Sequence, residues 1–239
     1  MSEETERLLD SPQEALGPAL GAGAEDLDEG SGTDERLEAP LADILGVGRS
    51  RIGEGGRRGD VERSPRLLKA ALAYARRGIP VFPCEPGGKA PLTYSGFWDA
   101  TTDARRIKTW WDRWPYANVG VPTGERSGLL ILDIDPRAGG PESLAALERA
   151  GGPLPETTKA RTGGGGVHVF FRYPAEEGVR NSAGRLGPGL DVRGEGGYVI
   201  VPPSRTQSAY EWLDRTPPAD PTWLLECLRA QPSGEGTLF

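Results

Sequence analysis

Residues 129–136 read LLILDIDP: four apolar residues, two aspartates separated by one isoleucine, and a proline. The apolar run has the length and bulk of a buried strand, and in a strand successive side chains point to opposite faces. Asp133 and Asp135 therefore share one side, where two carboxylates repel unless something positive lies between them. An aspartate pair that terminates an apolar strand is delivered to the strand end, where α/β sheets commonly place ligands. Magnesium is usually held by one or two carboxylates together with substrate phosphates, which makes this pair a candidate metal site. A calcium loop does not fit, because Arg137, Ala138 and Leu144 stand at the fifth, sixth and twelfth positions of DIDPRAGGPESL. The D-x-D of a haloacid-dehalogenase-type phosphatase resembles the stretch only as far as Asp135, since Pro136 and Arg137 depart from that pattern.

Outward from this strand, elements alternate. SPRLLKAALAYARRG predicts a helix with Ser64 as N-cap, Pro65 at its first position, an apolar stripe from Leu67 to Ala75 and Gly78 at its end. A short strand, IPVFP, follows. TTDARRIKTWWDRWP predicts a second helix whose Ile107, Trp110, Trp111 and Trp114 face a core, stopped by Pro115. Beyond LLILDID, a helix is expected near PESLAALERA, strands near HVFFRY and GYVIVPP, and a closing helix near PTWLLECLRA. This mixture indicates an α/β (α+β) domain.

Charge is unevenly placed. The chain of 239 residues carries a net charge of −7, but residues 1–60 hold 15 acidic and 6 basic side chains, leaving 22 basic and 20 acidic in the rest. A positive patch on the folded part is thus compatible with an acidic chain. The first 60 residues, rich in Gly, Ala, Glu and Asp, are expected to be a disordered acidic tail, because they offer too little apolar surface to offset chain entropy. Within it, RLEAPLADILG at 36–46 could form a short amphipathic turn on a partner, though a scatter of hydrophobic residues is the plainer reading. Residues 61–230 form the expected folded domain, and 231–239 a flexible C-terminal tail. Two distant cysteines, Cys84 and Cys227, imply neither a disulfide framework nor a cysteine zinc site. With no apolar run near the roughly 20 residues of a membrane span and no export signal, a cytoplasmic protein without a membrane partner is expected.

Two further stretches carry chemistry. ARTGGGGVHVFFRY runs four glycines, Gly163 to Gly166, into the only histidine, His168. Glycine amides such as those of Gly165 and Gly166 can approach a phosphate closely, but no lysine and serine follow them as in a P-loop. The ensuing strand puts His168, Phe170 and Arg172 on one face. GLDVRGEGGYVIVPPS puts Asp191 and Arg193 on one face, either as a pair or as separate ligands. PGGKAP offers Lys89 in a turn.

The ordered set GIPVFPCEPGGKAPLT, DATTDARRIKTWW, ANVGVPTGERSGLLILDIDPRAGG, TGGGGVHVFF and GLDVRGEGGYVIVPPS resembles the archaeo-eukaryotic primase superfamily, and within it the bifunctional primase/polymerase (prim-pol) N-terminal domain, from about Leu67 to Trp212. The resemblance implies a catalytic core with an RNA-recognition-motif-like sheet. It assigns Asp133 and Asp135 to the first catalytic motif, His168 to the second and Asp191 to the third. The three aspartates would hold Mg2+ or Mn2+, and His168 would contact the triphosphate. Gly165, Gly166, Arg172, Arg193 and Lys89 are further candidates for nucleotide binding. Relatives often carry a serine where this chain has Gly166.

The function so implied is template-directed nucleotidyl transfer from nucleoside triphosphates, with single-stranded or primer-template DNA as partner. A catalytically silent nucleic-acid or nucleotide-binding module and a metal-dependent phosphatase are the alternatives. Because the chain stops shortly after Trp212, a helicase would be a separate polypeptide. The terminal SGEGTLF, ending in Leu238 and Phe239, resembles peptides that dock sliding clamps.

Overall fold

The computed structural model describes residues 35–45, 58–214 and 216–231. Among these residues, four α-helices, α1 (Arg58–Arg76), α2 (Ala104–Arg113), α3 (Gly140–Gly151) and α4 (Thr222–Ala230), accompany two antiparallel sheets. The smaller sheet has the order β1 (Phe82–Cys84), β2 (Asn118–Pro122) and β8 (Tyr198–Ile200). The larger contains β3 (Leu129–Ile134), β4 (Lys159–Arg161), β5 (Val167–Arg172), β6 (Ser182–Ala183), β7 (Leu190–Arg193) and β9 (Glu211–Trp212), ordered β6-β7-β3-β5-β4-β9. The fold is mixed α/β, as the alternating patterns indicate.

The apolar run of β3 is continuous because the strand is central and covered on both faces. Leu130 and Leu132, with Val169, Phe171, Leu190 and Val192 of the neighbouring strands, pack against Leu147 of α3 and Leu224, Cys227 and Leu228 of α4. Leu129 and Ile131, with Phe170 and Ala160, face the other way, onto Leu67, Ala71 and Tyr74 of α1, Ile107 and Trp111 of α2, and Val119 and Val121 of β2. Asp133 continues this second row, where the helical cover gives way to a cleft.

Two boundaries differ from expectation. α1 begins at Arg58, so Pro65 lies inside the helix and Ser64 is not its cap. Proline forfeits one backbone donor, a local loss that the helix on both sides outlasts. The segment at 36–46, expected to be unstructured or to meet a partner, instead supplies two 3-10 turns, Glu35–Leu37 and Leu41–Leu45, to this domain. Leu37 and Leu41 are buried in the core with α1. Arg77 donates to the carbonyl oxygens of Pro40 at 2.8 Å and Ala39 at 2.5 Å, tying the turns down. Two leucines in an acidic segment look like scatter until a preformed groove receives them, each burial then contributing roughly 1.5–3 kcal/mol. The rest of the expected N-terminal tail and residues 232–239, where clamp docking was expected, lie outside the described residues.

Candidate active site

The site is assembled by strand register. Asp133 of β3 stands opposite His168 of β5 on one side and Asp191 of β7 on the other. Directly opposed residues share a face with Cβ atoms about 4.5–5.5 Å apart, so three polar side chains from three strands form one row. Because the neighbours are antiparallel, pairing rather than the carboxyl-end rule of parallel sheets puts them together. Asp135 lies one residue past β3, where its amide still donates to Gly189 O at 2.8 Å, and its carboxylate caps the 3-10 turn Pro136–Ala138.

Two cavities meet at this row. A cleft of about 290 Å³ is lined by Asp133, His168 and Arg193 together with Lys89, Phe97 and Tyr198. A niche of about 40 Å³ adjoins it between Asp133, Asp135, Lys89, Thr162, Gly166 and His168. Lys89 belongs to both, although its loop is far away in sequence.

His168 is 3% exposed, with Nε2 3.6 Å from Asp133 Oδ1 and Nδ1 buried without a partner. Burial pushes its pKa down to about 4, and the nearby positive charges of Lys89 and Arg193 add to this while Asp133 opposes it. At neutral pH the ring is uncharged. Asp135 accepts from Arg137 Nε and Nη2, both at 3.2 Å, and from its backbone amide at 2.9 Å. The side-chain bonds from Arg137, foremost among several causes, hold the Asp135 carboxyl below its ordinary range. Asp191 accepts from Arg193 Nη2 at 2.8 Å and from the Gly184 amide at 3.1 Å. Arg193 and Asp191 are thus a pair within the site. Asp133, in the middle, is paired with His168 and, among the described residues, with no arginine.

The donor chemistry fits a hard divalent cation: Asp133 and Asp135 border the niche, and Asp191 stands next to Asp133 across the strand pair. Among the described residues no group of three or more carboxylate, imidazole or thiol side chains is arranged to hold an ion alone. Mg2+ needs fewer, since it retains waters and takes phosphate oxygens. Asp133 with either neighbour could hold such an ion once the neighbour's arginine turns away.

Two expected contacts are not formed. The amides of Gly165 and Gly166 do not face the cleft, because they donate to Thr162 O and Thr162 Oγ1, both at 3.0 Å, closing the β4–β5 hairpin. The glycines serve close packing instead: a Cβ on Gly166 would lie 2.4 Å from Ile134 O, and one on Gly163 would lie 2.1 Å from Thr206 Oγ1. A serine at Gly166 has no room. Arg172 shares the face of His168 but stands at the opposite end of β5, bonded to Glu38 at 3.2 Å and to Pro218 O at 3.2 Å. It does not reach the cleft.

Asn118 and Thr162 went unnoticed in the sequence. Asn118 is fully buried, its Nδ2 donating to Gly88 O at 2.9 Å, Arg205 O at 2.8 Å and Glu85 O at 3.3 Å, while its Oδ1 accepts from the Arg205 amide at 3.0 Å. It holds the Lys89 loop against β2. A lone asparagine in ANVGVP carries no local signal of this role. Thr162, just before the glycines, lines the niche, and its Oγ1 accepts from the Gly166 amide.

A family model described as bifunctional DNA primase/polymerase, N-terminal, matches residues 71–223. The chain belongs to this family, and its function is of the primase/polymerase, nucleic-acid-related type. No curated protein matches it. No helix among the described residues is long and apolar enough to cross a membrane.

Proposed function

We propose that the domain is a template-directed nucleotidyltransferase that builds primers or extends DNA ends from nucleoside triphosphates, with Mg2+ or Mn2+ as cofactor. One observation carries the reading: Asp133, flanked by His168 and Asp191 on adjacent strands, ends an otherwise apolar row beside a cleft that Lys89 enters from the other side. Asp133, Asp135 and Asp191 would hold the cation, which when bound neutralises charge on the reacting oxygens. Lys89 attracts the triphosphate. His168, neutral and with Nε2 towards Asp133, would offer a hydrogen bond to the triphosphate without adding charge. A 3'-hydroxyl, releasing its proton to solvent, attacks the α-phosphorus; the new O3'–P bond forms as the bond from the α-phosphorus to the bridging oxygen breaks, and pyrophosphate leaves with that bond's electron pair. Arg137 and Arg193, which pair with Asp135 and Asp191, would be the guanidinium groups nearest to phosphate oxygens if those carboxylates held a cation instead.

The test is extension of a labelled primer-template with nucleoside triphosphates and Mn2+ or Mg2+, by the wild type and by Asp133→Asn. Metal-dependent extension that falls at least a hundredfold in the variant, with the fold unchanged by circular dichroism, is the expected result. Equal extension by both would sink the assignment. The silent binding module draws on one observation, the arginines already clasping Asp135 and Asp191. It would be upheld by nucleotide or DNA binding without extension in the wild type. Nothing in the site favours a phosphatase, whose product would be free phosphate.

A further inference from the structure

The loop between β1 and α2 carries two large aromatic side chains into solvent. Tyr94 is fully exposed and Trp98 is 57% exposed. Scattered exposed hydrophobic residues are ordinary, but this loop is built to hold them out. Arg126 donates to three of its carbonyl oxygens, Phe97 at 3.4 Å, Trp98 at 3.0 Å and Ala100 at 2.8 Å. Thr93 Oγ1 donates to Gly96 O at 2.6 Å, and the Ser95 amide to Asp99 Oδ2 at 2.8 Å. Asp99 is in turn paired with Arg106 at 3.1 Å. A loop with this many anchors holds its backbone in place while its two largest rings lie open to solvent.

The rings also continue the cleft. Tyr198 and Phe97, both cleft-lining, are stacked with centroids 5.7 Å apart and planes 29° apart. Phe97 and Trp98 follow at 4.5 Å and 34°. The row Tyr198–Phe97–Trp98 therefore runs from the wall of the cleft that holds Asp133 and His168 to an open ring at the surface. Arg126 holds the backbone of Phe97 and Trp98, Arg106 is paired with Asp99 of the same loop, and Lys89 lies at the cleft.

Flat rings at roughly stacking distance, running from a cleft that holds a lysine to an open end, suit unpaired nucleobases, since every base has a face to stack and the linking phosphates are drawn to the ammonium group of Lys89. We infer that Tyr94 and Trp98 form a stacking platform for bases of a single-stranded nucleic acid, guiding the strand towards the cleft. This assigns a location to the strand within the nucleotidyl-transfer reading, on which it rests for the direction of the strand but not for the binding itself.

The experiment measures the affinity of a labelled oligodeoxythymidylate for the full chain, for Tyr94→Ala/Trp98→Ala and for Trp98→Phe, by fluorescence anisotropy at fixed salt. Calorimetric titration with a non-hydrolysable nucleoside triphosphate and primer extension are run on the same proteins. The double variant is expected to bind the oligonucleotide about tenfold or more weakly, from the loss of two stacking faces. Trp98→Phe keeps most of the affinity, and triphosphate binding is unchanged in both. Undiminished oligonucleotide affinity in a folded double variant overturns the platform, as does absence of single-strand binding by the wild type or an equal loss of triphosphate binding. If the wild type extends primers while the double variant binds the strand normally, the platform fails and the enzymatic reading stands. If strand binding falls in the variant but the wild type extends nothing, the platform stands and the enzymatic reading fails.

Discussion

At Asp133 the carboxylate is held by backbone pairing on both sides while its own oxygens remain uncommitted to any arginine, the opposite of Asp135 and Asp191. Its neighbour His168 explains part of this, since a buried neutral imidazole leaves the carboxylate's charge uncompensated. Burial lowers the folded-state pKa of His168 to about 4, below its ordinary value of 6.5. The unfolded chain therefore binds more protons between these values, so in metal-free protein stability falls as pH drops from about 6.5 towards 4. Urea denaturation at a series of pH values should show this slope, and His168→Gln should flatten it; an unchanged slope would mean that other groups set the acid sensitivity. At Gly166 the constraint is steric. Gly166→Ser places a Cβ 2.4 Å from Ile134 O, so it is expected to lower the melting temperature and to reduce extension by shifting the hairpin away from Asp135. A variant of wild-type stability would show that β3 and the hairpin separate more easily than their packing indicates.

Among the elements, the β4–β5 hairpin and the Lys89 loop reach the same cleft by different means. The hairpin is fixed by the ladder to β3, whereas the loop is hung from Asn118 at the start of β2. Asn118→Ala leaves the carbonyl oxygens of Gly88 and Arg205 without a donor, at a cost of about 1–3 kcal/mol each where water cannot replace it. Denaturation should report the loss, and nucleotide titration should report weakened binding because Lys89 is no longer held at the cleft. Normal nucleotide affinity in a destabilised Asn118→Ala protein would confine that residue to a structural role. The aromatic loop next to it owes its position to Arg126 in the same manner.

For the whole molecule, the notable addition is the 35–45 segment, which covers α1 with Leu37 and Leu41. Leu41→Ala should cost about 2 kcal/mol or more, the usual range for a buried leucine, unless the segment simply detaches. Deletion of residues 1–46 separates the cases: a lower melting temperature means the segment is part of the domain, and an unchanged one means it only rests there. Cys84, fully buried on β1, offers an independent probe. Burial raises its thiol pKa strongly, so alkylation by a thiol reagent at neutral pH should occur only when the domain opens. Rapid labelling in native buffer would contradict the packing of the smaller sheet.

Much of the site was legible in the sequence because it depends on local alternation. LLILDID, HVFFRY and LDVR each declare which residues share a face, and period-two geometry follows from the backbone alone. What the alternation leaves open is register, and it was register that set Asp133 against both His168 and Asp191. Arg172 has the correct face yet lies at the far end of its strand, a distinction that face assignment cannot make. The four glycines were readable as amides able to approach a phosphate, but whether those amides pointed to a ligand or to Thr162 depended on how the hairpin closed. Residues that act through long-range contacts, Asn118 beneath the Lys89 loop and Leu41 against α1, have no periodic signature at all. The sequence by itself determined the strands, their faces and the acidic residues at their ends, because those follow from short-range sterics and hydrophobic patterning. Only the tertiary structure decided which of these residues meet, because pairing and docking are selected by contacts between segments far apart in the chain.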